Sequence, residues 1–190
     1  MDDQLLRLHR FVPASRANGP GLRAVIWVQG CDLGCPGCFN PQTHPHQGGQ
    51  LLAVSDLFQR IAALEARIEG VTISGGEPLQ QWRPVLSLLQ RIRRETRLTS
   101  VLFTGYTWQE VNRLPGADQW PACVDVLIAG RYVAKQRLAA DLRGSANQTI
   151  HLFTTRYRLA DLQAVPPAEV IIAPGGEVLL SGVNPLTWTT

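Results

Sequence analysis

Four short apolar runs, separated by segments with helical spacing, limit this chain to a small set of folds. They are Ala24-Val-Ile-Trp-Val28, Val71-Thr-Ile-Ser74, Thr99 to Phe103 and Val124 to Ile128. The first is a continuous apolar run of the kind that a parallel strand buried on both faces shows, whereas a half-wet sheet shows alternation. Between the first two, Ser55 is expected to cap a helix that carries Leu57, Ile61, Leu64 and Ile68 on one face and stops at Gly70. Pro84 is placed to start a second helix with Val85, Leu88, Leu89 and Ile92 inside. Thr107-Trp-Gln-Glu110 reads as a capping box opening a third, shorter one. Thr149 to Phe153 is expected as a fifth strand, and Arg131 to Gln148 is the least regular stretch of the core. Such alternation implies parallel βα units, in an open doubly wound sheet or a barrel, with ligands at the carboxyl ends of the strands.

The chain has 190 residues, enough for one sizeable core. We expect one domain: a core over 1–154 and an extension over 155–190 packed on it. In the extension, Glu169-Val-Ile-Ile172 and Val178-Leu-Leu180 flank Pro174-Gly-Gly-Glu177, which reads as a β-hairpin. That hairpin either pairs with Leu5 to Val12 as added sheet or makes a partner surface. No apolar stretch approaches the ~18 residues that span a bilayer, so no membrane is expected. The start Met1-Asp-Asp-Gln-Leu-Leu-Arg-Leu-His9 lacks the basic end and apolar core of a signal peptide, which points to a reducing cytoplasm and free thiols. Net charge is +3, carried almost wholly by arginine. The cluster Arg91-Ile-Arg-Arg-Glu-Thr-Arg97 has no interleaved aromatic residues and reads as a solvated helix face, so no nucleic acid is expected.

Three of the four cysteines, Cys31, Cys35 and Cys38, lie within eight residues directly after the first strand. Thiolates this close on a Gly- and Pro-rich loop can converge on one metal centre. A 4Fe-4S cluster ordinarily takes four cysteines, so three leave one iron open to an outside ligand. Zinc, completed by His44 or His46, is the rival, but structural zinc favours two separated ligand pairs. Cys123 stands apart and is expected as a buried, small apolar residue. At the end of the second strand, Gly75-Gly-Glu-Pro78 lets backbone groups approach a ligand, and Glu77 adds a carboxylate suited to an ammonium. Both motifs fall on the same rim.

The cysteine loop ending in Phe39, together with Gly75-Gly-Glu-Pro78, resembles the radical S-adenosylmethionine enzymes. The resemblance implies an α/β fold, a short open partial (β/α) TIM-like barrel, here with a C-terminal β-hairpin. It also implies that Cys31, Cys35 and Cys38 hold a 4Fe-4S cluster and that the open iron is chelated by S-adenosyl-L-methionine. Gly75, Gly76, Glu77 and Pro78 would then bind the cofactor's amino group, with Phe39 near the adenine and Tyr106 on the ligand rim. Asn18-Gly-Pro-Gly-Leu-Arg23, Gln29-Gly-Cys31, Cys38-Phe-Asn-Pro41, Thr104-Gly-Tyr-Thr107, Asp125-Val-Leu-Ile128 and Leu142-Arg-Gly-Ser-Ala-Asn-Gln148 are similar to the activating proteins of anaerobic ribonucleotide reductases. These cleave S-adenosylmethionine reductively and place a radical on a glycine of a partner enzyme. The implied partners are a glycyl-radical enzyme and a flavodoxin-like or other low-potential electron donor.

Two alternatives stay open on the residues: a radical enzyme acting on a small molecule or peptide, and a metal-binding interaction module without catalysis. Two departures from the family pattern bear on the substrate. Ala129-Gly130-Arg131 stands where the family tends to have Asp-Gly-Lys, removing a carboxylate from the rim, and the chain runs on past Phe153 into the predicted hairpin. Arg143 reads equally as an anion or partner contact and as part of a polar turn.

Overall fold

The computed structural model describes residues 3–172 and 175–184. In chain order the elements are β1 (Leu5–Ser15), β2 (Arg23–Val28), β3 (Gln50–Ala53), α1 (Val54–Ala62), β4 (Gly70–Gly75), α2 (Trp82–Glu95), β5 (Thr99–Thr104), α3 (Trp108–Val111), α4 (Trp120–Cys123), β6 (Val126–Ala129), β7 (Arg137–Ala140), β8 (Arg143–Ser145), β9 (Thr149–Leu152), α5 (Leu159–Gln163), β10 (Glu169–Ile172) and β11 (Val178–Ser181). One seven-stranded sheet runs β3-β1-β2-β4-β5-β6-β9. Its centre, β2-β4-β5-β6, is parallel, as the apolar runs require. β3 and β9 are the two edges and, among the described residues, do not pair with each other, so the α/β sheet stays open. Among the described residues no helix is long and apolar enough to cross a membrane.

Register explains the core. Ile26, Ile73, Leu102 and Leu127 are cross-strand neighbours in one continuous row over the four parallel strands. All are buried and pack with Leu57 and Ile61 of α1 and Val85, Leu88, Leu89 and Ile92 of α2. Each such side chain contributes about 1.5–3 kcal/mol relative to an exposed one. One residue further along, Trp27, Ser74 and Phe103 point to the opposite face and line a cavity. At the amino ends, Arg23 is completely buried. Its guanidinium donates to Thr72 Oγ1 (2.9 Å), the Pro20 carbonyl (3.0 Å), Thr99 Oγ1 (3.0 Å), Tyr157 Oη (3.0 Å), the Val71 carbonyl (2.8 Å) and the Thr99 carbonyl (3.1 Å).

Several local expectations are corrected. Ser55 does not cap α1; the helix begins at Val54, and Asp3 accepts from both the Ser55 amide and its hydroxyl. α1 ends at Ala62; Leu64 follows in a turn and Ile68 just after it, both still packing on the core. Pro84 lies in the first turn of α2, which starts at Trp82. Thr107 does form the capping box with Glu110. The fifth strand, β9, runs antiparallel to β6. A parallel return needs a crossover, usually a helix, whereas residues 131–148 supply only a short 3-10 turn and the β7–β8 ribbon.

β10 and β11 form the expected antiparallel hairpin, with Ala173 and Pro174 of its turn outside the described residues. It does not extend the sheet along β1, whose partners are β2 and β3. Side chains attach it instead. Asn18 Nδ2 donates to Ser181 Oγ (2.7 Å), Glu169 accepts from the Ser15 hydroxyl and the Arg16 amide (2.9 Å), and Arg10 pairs with Glu177 at 2.6 Å.

Candidate active site

The carboxyl ends of all four parallel strands meet at one cavity of about 140 Å³. β2 delivers the loop with Cys31, Cys35 and Cys38; β4 delivers Gly75, Gly76 and Glu77; β5 delivers Thr104 and Gly105; β6 delivers Gly130. Phe39, Asn40, His44, Tyr132 and Gln148 also line it. A wider depression of about 530 Å³, lined by Glu69, Arg156 and Tyr157 among others, holds no thiol.

Backbone bonds fold the cysteine loop against the end of β4. The Gly30 amide donates to the Thr43 carbonyl (2.8 Å), the Cys31 amide to His44 (2.9 Å) and the Glu77 amide to Gly30 (2.8 Å). Gly76 is required for this closeness: a Cβ there would meet the Gly30 carbonyl carbon at 2.9 Å and the Thr43 carbonyl oxygen at 3.0 Å. Gly75 adopts φ +111, which L side chains rarely take. Buried Gln29 holds the returning segment, donating to the Gln42 (3.2 Å) and Pro45 (2.6 Å) carbonyls while its Oε1 meets His9 Nδ1 at 2.7 Å.

All three loop cysteines are free and partly exposed. Burial pushes the Cys31 and Cys38 thiols above their ordinary pKa, and the other acidic groups nearby push the same way. A metal reverses that balance by taking the thiolate directly, with release of the protons. Among the described residues no three His, Cys, Asp or Glu side chains converge as ligands around a single ion. The donor set, three thiols on one cavity wall, suits a cluster, which takes each thiolate on a different iron. His44 shares the cavity, whereas His46 is exposed and held by Asp32 at 2.6 Å.

Glu77 is buried and its carboxylate is turned onto the protein. Oε1 accepts from the Leu79 amide (2.9 Å) and the Thr104 hydroxyl (2.7 Å), and Oε2 accepts from the Gly105 amide (2.7 Å). It therefore ties the end of β4 to the end of β5. Burial pushes its pKa up to about 7, against those three donors and the charge of Arg131. Phe39 lies on the cavity with its ring centroid 4.5 Å from that of Tyr132 and 5.2 Å from the Arg137 guanidinium.

Pro78 and Tyr106, expected with the cofactor residues, do not line the cavity. Pro78 opens a 3-10 turn and is buried beneath it. Tyr106 is drawn aside because its amide is fixed to Thr104 Oγ1 (3.1 Å) just before the Thr107 cap, and its ring packs on the core, 5.8 Å from Arg131. Tyr132 supplies the rim aromatic instead; its place just after β6 was the available signal. Arg131, beside the missing acid, is engaged by Glu110 at 2.6 and 3.0 Å. Arg143 opens β8, pairs with Asp141 at 3.0 Å and lies off the cavity.

Comparison with known proteins places the chain in a family. The family described as "4Fe-4S single cluster domain" matches residues 17–151. The anaerobic ribonucleoside-triphosphate reductase-activating protein of Salmonella typhi is 35% identical over 153 residues, covering 77% of this chain and 98% of its own. Its counterpart from Vibrio cholerae serotype O1 is 35% identical over 159 residues, covering 78% and 99%. Among solved structures, QueE from Escherichia coli aligns over 54% of each chain at a TM-score of 0.43 and 17% identity. Site and relatives together define an iron-sulfur enzyme of the radical S-adenosylmethionine class, with a 4Fe-4S cluster and S-adenosyl-L-methionine as cofactors. The chain belongs to the family of anaerobic ribonucleoside-triphosphate reductase-activating proteins. The zinc and non-catalytic alternatives give way to that membership.

Proposed function

We propose that this enzyme installs a glycyl radical on an anaerobic ribonucleoside-triphosphate reductase, with Cys31, Cys35 and Cys38 as the cluster ligands and the end of β4 as the seat of S-adenosylmethionine. The supporting observation is the meeting of three free thiols with Gly75, Gly76 and Glu77 on one cavity. When bound, the cluster and S-adenosylmethionine would supply one-electron reductive cleavage of the cofactor and hydrogen-atom abstraction from the target glycine. The chain's residues supply placement. The Cys31, Cys35 and Cys38 thiolates would hold the cluster, and the Gly76 backbone keeps the loop that carries them against β4. Glu77 fixes the β5 rim, while Gly105 is, among the described residues, the one donor to its Oε2, which leaves that oxygen acceptor capacity toward an ammonium. Phe39 and Tyr132 offer an aromatic wall for a nucleoside base. A flavodoxin-like or similar low-potential donor supplies the electron, and the four free cysteines suit a reducing cytoplasm.

The experiment is anaerobic reconstitution with iron and sulfide, then reductant, S-adenosylmethionine and the reductase. Expected results are 5′-deoxyadenosine and a glycine-centred electron paramagnetic resonance signal on the reductase. Cleavage of the cofactor without that signal would leave the cluster chemistry standing and remove the reductase as target.

A further inference from the structure

A second cavity of about 240 Å³ adjoins the thiol site and shares Phe39, Asn40, Ser74, Phe103, Tyr132 and Gln148 with it. Its floor is the inner face of the sheet. Part of its wall is Leu180, Ser181, Gly182 and Val183, from the end of the C-terminal hairpin. This hairpin lies outside the family-matched residues 17–151, and the Salmonella relative is 98% covered by only 77% of this chain. A segment absent from the family match therefore forms part of the chamber beside the reacting centre.

The hairpin's faces differ. Register puts Val170 opposite Leu180 and Ile172 opposite Val178, so these four side chains share one face. Leu180 reaches the chamber, while Val170, Ile172 and Val178 are 45%, 69% and 47% exposed. Three of the eight large exposed hydrophobic residues among those described thus form one stripe, running from the hairpin tip to the chamber wall. The hairpin is also held firmly. Asn18 and Ser181 are buried and bonded, and Glu169 accepts from the Arg16 amide at 2.9 Å. An isolated two-stranded ribbon is marginal in water, and these attachments give it one fixed position.

We propose that this stripe is the docking surface for the protein substrate, so that the hairpin sets which reductase the enzyme recognises. The inference rests on the activase reading above. A protein that presents one backbone carbon to the chamber must run its flanking chain over the walls, and the Leu180–Val183 wall continues outward as the apolar stripe. An apolar segment beside the target glycine, lying along Val170, Ile172 and Val178, is the matching partner chemistry.

The test is a triple variant, Val170→Ser, Ile172→Ser and Val178→Ser, assayed with the anaerobic ribonucleoside-triphosphate reductase of the same organism. Iron content and dithionite-driven 5′-deoxyadenosine formation without reductase should match the wild type. The KM for reductase in glycyl-radical formation should rise about tenfold, with the rate at saturation within about twofold, since apolar anchors act on binding. The single variant Ile172→Ser, expected at about threefold, carries the same test if the triple variant fails to load a cluster. An unchanged KM overturns the docking surface alone. Wild-type protein that cleaves S-adenosylmethionine but leaves the reductase without a glycyl radical overturns the activase reading, and the docking surface with it.

Discussion

Replacing Gly76 by alanine tests how tightly the thiol loop is built onto β4. The added methyl carbon would lie 2.9 Å from the Gly30 carbonyl carbon. Comfortable carbon contacts lie at about 3.5–4.0 Å, and the Gly30 oxygen is nearer still, so the Gly30–Cys31 backbone must retreat by on the order of 1 Å. Gly76 has no left-handed φ to lose, so the cost comes from contact alone. Retreat stretches the 2.8 Å bond from the Glu77 amide to Gly30 and disturbs the 2.8 Å bond from Gly30 to Thr43. At about 1 kcal/mol each, the loss is roughly 2 kcal/mol. In a chain of this size that lowers Tm by about 4–8 °C. Misplacing a reacting centre by ~1 Å costs on the order of 100-fold in rate, so cofactor cleavage should fall far more than stability does. Gly34→Ala is the companion: φ there is +59 and nothing lies within 4 Å. It should cost about 1 kcal/mol in backbone torsion and leave the cleavage rate within about threefold. The assays are thermal melting of the metal-free protein and anaerobic 5′-deoxyadenosine formation. A Gly76→Ala enzyme with a near wild-type rate, or a Gly34→Ala enzyme equally impaired, would refute the reasoning.

Three further outcomes follow from the same geometry. Asp125 has a fully buried side chain that accepts from Ser100 N (2.8 Å) and Thr154 Oγ1 (2.7 Å) and pairs with Arg93 at 2.9 Å. Asp125→Ala should cost about 3–5 kcal/mol in denaturant unfolding by stranding Arg93. Burial pushes the Asp125 pKa up, but Thr154, Arg93 and Ser100 outweigh it and hold it below the usual value. Its stabilisation is thus present at neutral pH and lost as pH falls through that lowered value, a loss the variant should not show. Glu77 has the opposite sign: its folded pKa of about 7 exceeds the ordinary 4.5. Stability of the metal-free protein should therefore fall by about 3 kcal/mol as pH rises through that window. Glu77→Gln should flatten the slope, and a wild-type stability that rises from pH 5 to 8 would contradict it. Finally, iodoacetamide at pH 8 should label Cys31, Cys35 and Cys38 of the metal-free protein. It should spare Cys123, which is 2% exposed with its pKa pushed up to about 11, as peptide mass mapping will show.

The parallel centre of the fold was legible because Ile26, Ile73, Leu102 and Leu127 sit in short strand-like runs that alternate with segments of helical spacing, the pattern of parallel βα units. The hairpin was legible as two apolar runs around a Gly-Gly turn. The direction of β9 was not, since a strand's letters do not encode which way its neighbour runs; the clue was the missing helix between Gly130 and Thr149. Local signals also lost to distant ones: Ser55 looks like a cap, but Asp3 claims it from another strand's approach. At the site, Cys31, Cys35, Cys38, Gly75, Gly76 and Glu77 were readable because their types and spacing are chemically unusual. Tyr132 was not singled out although it follows β6 directly, and Gln148 comes to the cavity only through the fold of an irregular segment.

Arg23 carries a consequence for how the chain assembles. Its hydrogen bonds are drawn from the segment before β2, from β4, from β5 and from Tyr157 beyond β9. A partly built sheet lacking any one of these would hold a cation in its interior with donors unanswered, at about 1–3 kcal/mol for each group left unpaired. Half-formed sheets are thereby disfavoured relative to both the unfolded and the finished chain. One side chain at the end of the strands opposite the thiols therefore makes folding more nearly all-or-none, coupling the C-terminal extension to the core in a single transition.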